Sequence, residues 1–362
     1  MKKLNVAVIG YGRSGCGIHS EFFKSENNDI VNVVAVVELD PAREAAAKAD
    51  FGCDTYSDYR ELFNRTDIDL VVNASYSDMH YSITLDIINH GFNVLCEKPI
   101  CKKADQLREL IAAAKEKGVM FTIFQQSRLA EYFENMERIM KSGILGDIKL
   151  VRGRWNAFSR RYDWQTLIYR DAGSMRNTGP HPFEQCIWLS GTDEMPKNIY
   201  SKLEVWNSVG DAEDYVYAVL EYENGPRFEI ETNPSDPYND GWLYRVYGTR
   251  GAMRVSASKI EYQYYLEEES PQPVLDHKSL HDENGNPSYC RDKIEWHKEE
   301  LELTGDAFAY GTSGYYHRLY DHMVNGGELF IDPAHIIPEI AIFEEIERQN
   351  PLVKKFDNPF VK

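Results

Sequence analysis

From residue 4 to about residue 125, short apolar runs alternate with stretches of helical period, the pattern of a parallel sheet wound with helices. The runs over 5–10, 31–37, 70–74, 93–96 and 120–124 predict strands, each rich in Val, Ile or Leu or short enough to be buried on both faces. Between them lie predicted helices. One covers 41–49, capped by Asp40 and opened by Pro41; one covers 58–63 and begins with Asp-x-x-Glu; one covers 104–117 and stops at Gly118.

Past residue 126 the rhythm changes. A helix over 130–142 leads into longer alternating strands over 148–156, 199–205, 215–223, 228–232 and 244–255. Asn224-Gly225-Pro226 marks a hairpin, and the Gly248 to Gly251 stretch marks another. The polar segment 267–314 receives no assignment, and helices over 315–325 and 338–349 close the chain. The pattern predicts an α/β Rossmann domain, a doubly wound parallel sheet, over 1–125. An α+β domain with a large, mostly antiparallel sheet follows over 126–362.

Composition narrows the partners. The chain has 362 residues, 43% of them hydrophobic and 27% charged, enough for two ordinary cores. With 58 acidic against 40 basic residues its formal charge is −18, which repels polyanions, so neither nucleic acid nor an anionic membrane surface is expected as a partner. The apolar start at 6–10 is too short for a signal-peptide core, and no run approaches the ~20 residues of a membrane span. Six cysteines without CxxC spacing read as free thiols in a reducing compartment, and the chain is expected to be cytoplasmic, with no metal site.

Gly10-Tyr11-Gly12-Arg13-Ser14-Gly15 is a GxGxxG that follows a strand and opens a helix. In that context the first glycine permits the turn, the second lets backbone approach a pyrophosphate, and the third lets helix and strand pack closely. Arg13 and Ser14 are cofactor-contact candidates with the three glycines. Glu38, 23 residues after Gly15 at the end of the next strand, stands where an acid meets the adenosine ribose. Its carboxylate favours NAD by repelling the 2′-phosphate of NADP, an effect that Arg43 on the following helix partly offsets.

Further along, Asn73-Ala74-Ser75-x-x-x-x-His80 is followed by Gly91-Phe92-Asn93-Val94-Leu95-Cys96-Glu97-Lys98-Pro99. With the glycine fingerprint, with Ser142-Gly143-Ile144-Leu145-Gly146-Asp147-Ile148 and with the segment containing His181, these strings resemble the Gfo/Idh/MocA family of glucose-fructose oxidoreductase and inositol dehydrogenase type. The resemblance spans roughly the first half of the chain. It implies that Ser75, His80 and Glu97 border the cofactor and that Lys98 lies beside the nicotinamide, where an ammonium stabilises charge developing on a reacting oxygen. It also implies a second catalytic element in Asn177-Thr178-Gly179-Pro180-His181, with His181 as general base. Asn177 departs from the aspartate that family dehydrogenases often carry there, which leaves His181 and Lys98 to move the proton.

Arg128 and Gln126 face either the cleft or the domain junction. The aromatic and basic stretch 154–164 is suited either to sugar binding or to sheet surface and subunit contact. Tyr316 opens a late helix near where the family closes its site. These residues point to NAD-dependent hydride transfer at a secondary alcohol or ketone of a sugar, glycoside or cyclitol. Two alternatives stay open: a redox-neutral enzyme that uses held NAD for glycoside cleavage or elimination, and a non-catalytic NAD-binding sensor or scaffold. By resemblance the family's sheets pack face to face, which implies a homodimer or homotetramer.

Overall fold

The computed structural model describes residues 2–238, 240–275, 281–289 and 291–359. Six strands form a parallel sheet: β1 (Leu4–Ile9), β2 (Val31–Val37), β3 (Asp54–Tyr56), β4 (Leu70–Asn73), β5 (Val94–Cys96) and β6 (Phe121–Ile123). The spatial order β3-β2-β1-β4-β5-β6 reverses direction between β1 and β4, and the carboxyl ends on either side of that reversal form the crevice in which doubly wound sheets bind ligands. The apolar runs became strands because both faces are covered; all four residues of β4 are buried.

An eight-stranded sheet follows. It contains β7 (Ile148–Arg154), β8 (Asn198–Glu204), β9 (Tyr215–Glu221), β10 (Arg227–Thr232), β11 (Trp242–Gly248), β12 (Gly251–Ser256), β13 (Lys259–Tyr264) and β14 (His297–Glu302), in the order β14-β13-β12-β11-β7-β10-β9-β8. It is antiparallel except where β7 and β10 run together. Both expected hairpins are present, between β9 and β10 and between β11 and β12.

The helices are α1 (Ser20–Lys24), α2 (Pro41–Phe51), α3 (Ser77–Asn89), α4 (Ala104–Lys117), α5 (Glu131–Lys141), α6 (Ser174–Asn177), α7 (Pro180–Ser190), α8 (Ala307–Tyr320) and α9 (Ile337–Gln349). Asp40 caps α2 by accepting from Ala42 N at 2.8 Å, and Gly118 ends α4 in the left-handed region. The predicted helix over 58–63 is a 3₁₀ helix, Tyr59–Asn64, capped by Asp58.

The unassigned segment 267–314 holds the edge strand β14 and the first turns of α8; its residues 276–280 and Cys290 lie outside the described residues. The sequence His-Lys-Glu-Glu-Leu-Glu has no apolar alternation because an edge strand is held by its ladder and by cross-strand pairs. Lys259 Nζ lies 2.8 Å from Glu300, and Tyr262 donates to Glu299 at 2.5 Å.

The two apolar cores do not follow chain order. Tyr315, Tyr316, Leu319 and Tyr320 of α8 return to the core of the parallel sheet, with Ile331 and Ile336 beyond it. Helix α9 serves both cores: Ile340 joins the first, whereas Ile342, Phe343 and Ile346 join the second. Phe343 meets Phe183 edge-on at 5.1 Å and lies under the Arg176 guanidinium. Phe343→Ala is expected to lose about 3–5 kcal/mol, read as a lower urea midpoint; a variant as stable as the parent would show that α9 does not pin the two cores together.

Candidate active site

The glycine turn sits at the carboxyl end of β1. Gly10 has φ +87°, and a β-carbon there would lie 2.5 Å from the Ala74 carbonyl; at Gly15 it would strike the Gly10 carbonyl. These two glycines are therefore required by close approach. At Gly12 the nearest atom to that position is Arg43 Nη1 at 3.8 Å, which leaves open backbone where a pyrophosphate is expected. The chain is helical over 13–24 by way of a π-helical turn at Gly15–His19, so the turn leads into a helix start. Arg13 is exposed at this start. Ser14 stands at the N-cap of the π-helical turn without a capping side-chain bond.

Glu38 closes the turn from the β2 side. Its Oε2 accepts from Tyr11 N at 2.7 Å, and its Oε1 accepts from Leu39 N and Asp40 N at 2.8 and 3.0 Å. The carboxylate is buried, and these backbone contacts shape the glycine turn.

On the other side of the reversal, Ser75 donates to Asn73 Oδ1 at 2.7 Å just past β4. His80 lies beneath the loops. Its Nδ1 is 2.7 Å from the Pro99 carbonyl and its Nε2 is 3.0 Å from the Ser75 carbonyl, so the ring joins two loops and has no nitrogen left for a cofactor. This corrects its expected contact role. Glu97 is corrected likewise: it is buried behind Lys98, with Oε1 3.2 Å from His19 Nε2 and Oε2 accepting from Lys98 N at 3.2 Å. Burial alone would raise the Glu97 carboxyl, but the adjacent His19 ring and the nearby positive groups outweigh it and bring it down to about 2.

Lys98, on the turn after β5, reaches across the crevice and donates from Nζ to the Asn177 carbonyl at 2.7 Å. Burial, then the positive charges of Arg13 and Arg161, lower its pKa, while Glu97 and Glu339 oppose the shift. The Asn177 side chain is turned away. Its Oδ1 accepts from Gln165 Nε2 at 2.8 Å, and Gln165 is in turn held by Arg161. Asn177 thus meets the site through its backbone carbonyl.

His181, in the first turn of α7, is buried against Trp155, whose ring stacks on it at 5.3 Å. Its Nδ1 lies 3.0 Å from Ser127 Oγ. Burial, and then the charge of Lys98, hold its pKa well below the ordinary value, with Arg13 pushing the same way and Glu97 against. The site therefore pairs a neutral imidazole with an ammonium inside a positive field. Such an arrangement is chemically able to accept a proton from a hydroxyl and to stabilise the oxyanion left behind.

Two expected substrate contacts lie elsewhere. Arg128 is buried in an ion pair with Glu184, beneath the Trp188 ring, because a buried guanidinium needs a counter-charge. Both border a cavity of about 540 Å³ that His335 also lines and that neither Lys98 nor His181 reaches. Tyr316 is in the core of the parallel sheet, stacked on Phe22, with its hydroxyl 2.6 Å from His19 Nδ1.

Sequence reasoning missed His19, Ser127, Gln165 and Glu213. Glu213 accepts from Met175 N at 2.9 Å and so anchors the segment that carries Asn177; burial raises it to about 7. The aromatic and basic stretch was the available signal for Trp155, Arg161 and Trp164, of which Trp164 packs edge-on against Tyr76 at 5.0 Å.

A glycine-turn Rossmann domain joined to a large open sheet, with a lysine and a histidine meeting at the crevice, defines a nicotinamide-type oxidoreductase architecture. Residues 4–125 match the model described as oxidoreductase family, NAD-binding Rossmann fold, and residues 133–254 match the GFO/IDH/MocA C-terminal domain. The chain belongs to the GFO/IDH/MocA family. It is 25% identical to scyllo-inositol 2-dehydrogenase (NADP(+)) IolW of Bacillus subtilis over 71% of this chain and 80% of that one. It is 21% identical to 2,7-anhydro-N-acetylneuraminate hydratase of Mediterraneibacter gnavus, covering 70% and 68%. The WlbA dehydrogenase of Bordetella pertussis, solved with NADH and UDP-GlcNAcA, superposes with a TM-score of 0.76 at 19% identity, covering 96% and 95%.

The lowered pKa of His181 has a sign that can be measured. Because the folded state binds fewer protons there than the unfolded chain, acidification below the ordinary histidine range favours unfolding at this position. Ring NMR of His181 is expected to show a neutral imidazole at pH 6, and protonation with an ordinary midpoint near ~6.5 would contradict the buried, lysine-facing placement.

Proposed function

We propose that this chain is an NAD-dependent dehydrogenase that moves hydride between nicotinamide and a secondary alcohol or ketone of a sugar, glycoside or cyclitol. One observation carries the reading. Lys98 Nζ is held at the Asn177 carbonyl, one turn before α7 presents the neutral His181, beside the carboxyl ends of β1, β4 and β5. The open face at Gly12 and the required glycines at 10 and 15 fit a dinucleotide pyrophosphate. NAD supplies the hydride acceptor or donor.

The chain's own residues do the rest. His181 Nε2 takes the hydroxyl proton as the carbon gives up hydride, and Ser127 fixes the ring through Nδ1. Lys98 donates a hydrogen bond to the oxygen, and the field of Lys98 and Arg13 stabilises its negative charge. Trp155 and Trp164 supply flat faces for a sugar ring. Residues 1–125 form the cofactor unit and 126–362 the substrate and assembly unit, with α8 packed back on the first. The free thiols of Cys16, Cys53, Cys96, Cys101 and Cys186 agree with a reducing cytoplasm. Tyr200 of β8 and Trp206 just past its end, both exposed, support assembly into a homodimer or homotetramer through the large sheet.

A second reading is the redox-neutral one, in which hydride is taken and returned around an elimination or hydration. Asn177 in place of a carboxylate, and a relative named as a hydratase, favour it.

Absorbance at the reduced-nicotinamide band, with NAD and a panel of cyclitols, free sugars and glycosides, separates the two. Turnover that falls about 10²–10⁴-fold in His181→Ala and comparably in Lys98→Ala, with NAD affinity nearly kept, is the expected result for the dehydrogenase. Silence across the panel, with NAD released on denaturation, would favour the redox-neutral reading. NAD is expected to bind more tightly than NADP; the opposite order would remove Glu38 as the selecting acid and point to Arg43, which lies beside Gly12.

A further inference from the structure

His19 lies four residues past Gly15, in the π-helical turn, and its ring is wholly buried. Its two nitrogens face two different elements: Nδ1 is 2.6 Å from the Tyr316 hydroxyl on α8, and Nε2 is 3.2 Å from Glu97 Oε1 beside β5. Tyr316 is fixed in turn by stacking on Phe22 at 5.1 Å with the rings 2° from parallel, and by the edge of Phe23 at 5.0 Å. Glu97 is 4% exposed and leans on Lys98 through the Lys98 backbone N–H. A continuous buried chain therefore runs from α8 to the residue that meets the reacting bond.

The chain has a physical use. A carboxylate this deeply buried would ordinarily take up a proton, and an unpaired one is costly. The His19 ring nitrogen, 3.2 Å from Oε1, favours the ionised form of Glu97. Lys98 needs that charge, because the charged groups facing it are mixed: Arg13 from the glycine turn and Arg161 from the segment before α6 on one side, Glu97 and Glu339 of α9 on the other, with the neutral His181 of α7 alongside. Around Glu97 the facing groups are His19, His80 and Lys98. Glu97 is the largest influence that opposes loss of the Lys98 proton.

We propose that Tyr316 and His19 are positioning residues that act through Glu97, fixing its carboxylate behind Lys98 so that the lysine stays an ammonium aimed at the reacting C–O bond. The proposal rests on the dehydrogenase reading for its purpose, but its test needs no turnover. Purified full-length chain is labelled with acetic anhydride across a pH series, and modification of the Lys98 peptide is followed by mass spectrometry, which gives the pH midpoint for amine exposure.

In Glu97→Gln the midpoint is expected to move to lower pH, with the free-amine fraction at pH 8 rising about tenfold for each pH unit of movement. His19→Phe, which keeps a buried ring but no donor, is expected to move it the same way, and Tyr316→Phe by less. His19→Gln, able to donate to Glu97, should return the midpoint toward the parent value. A merely structural role would lower the unfolding midpoint without moving that of Lys98. If His19→Phe does not fold, Tyr316→Phe, which loses one hydroxyl, decides the matter. An unmoved midpoint in Glu97→Gln, or movement there with none in the foldable His19 and Tyr316 variants, overturns the proposal. Failure of the dehydrogenase reading instead shows as absent hydride transfer with the labelling shifts intact.

Discussion

Two opposite charges, the Glu97 carboxylate and the Lys98 ammonium, leave bulk water side by side at the end of β5, and the site is arranged around compensating them. Removing an ion from water costs several kcal/mol even after the protein relaxes. Each partner must therefore be supplied by a different part of the chain. Glu97 is met by His19 from the glycine-turn helix and by the Lys98 backbone N–H, and Lys98 Nζ is met by a carbonyl from the second half of the chain. Burial, and then the charge of Lys98, depress His181 as well, so the imidazole facing the lysine is kept neutral.

These partners hold only if the two halves are fixed against each other. Arg170 pairs with Asp78 at 3.1 Å and Lys102 with Asp171 at 2.8 Å, both across the crevice. Arg176 reaches the carbonyls of Cys101 and Lys102 and the carboxylate of Glu347 on α9. Several of these groups are partly buried, where an ion pair is less screened than on the open surface. Together with α9, which contributes to both cores, they set the segment from 163 to 178 over the end of β5. The placement of Lys98 against the Asn177 carbonyl thus follows from packing remote from either residue.

The departure from the family pattern at Asn177 has a structural counterpart. Its side-chain oxygen is occupied by Gln165, itself held by Arg161, so the position is built as an amide and not as a vacant carboxylate site. What meets Lys98 there is the backbone carbonyl, which any residue type supplies. Under the proposed dehydrogenase reading, proton transfer therefore falls to His181 and Lys98, with Ser127 at the His181 ring and Glu97 beside the Lys98 backbone.

The sequence by itself determined the features that depend on local chemistry and period. The apolar runs of β1, β2, β4, β5 and β6, the caps at Asp40 and Gly118, the glycine turn and the Glu97-Lys98-Pro99 string were all legible, because strand burial, capping and close backbone approach each leave a residue-type signature at fixed spacing. Tertiary structure alone decided which polar residues face the crevice. Arg128 and Tyr316 carry side chains suited to a sugar, yet one pairs with Glu184 and the other with His19. His80 spans two carbonyls, and β14 is a strand only because β13 offers it a ladder. Such roles rest on pairings between residues as far apart as His19 and Tyr316, which burial makes obligatory and no local pattern encodes.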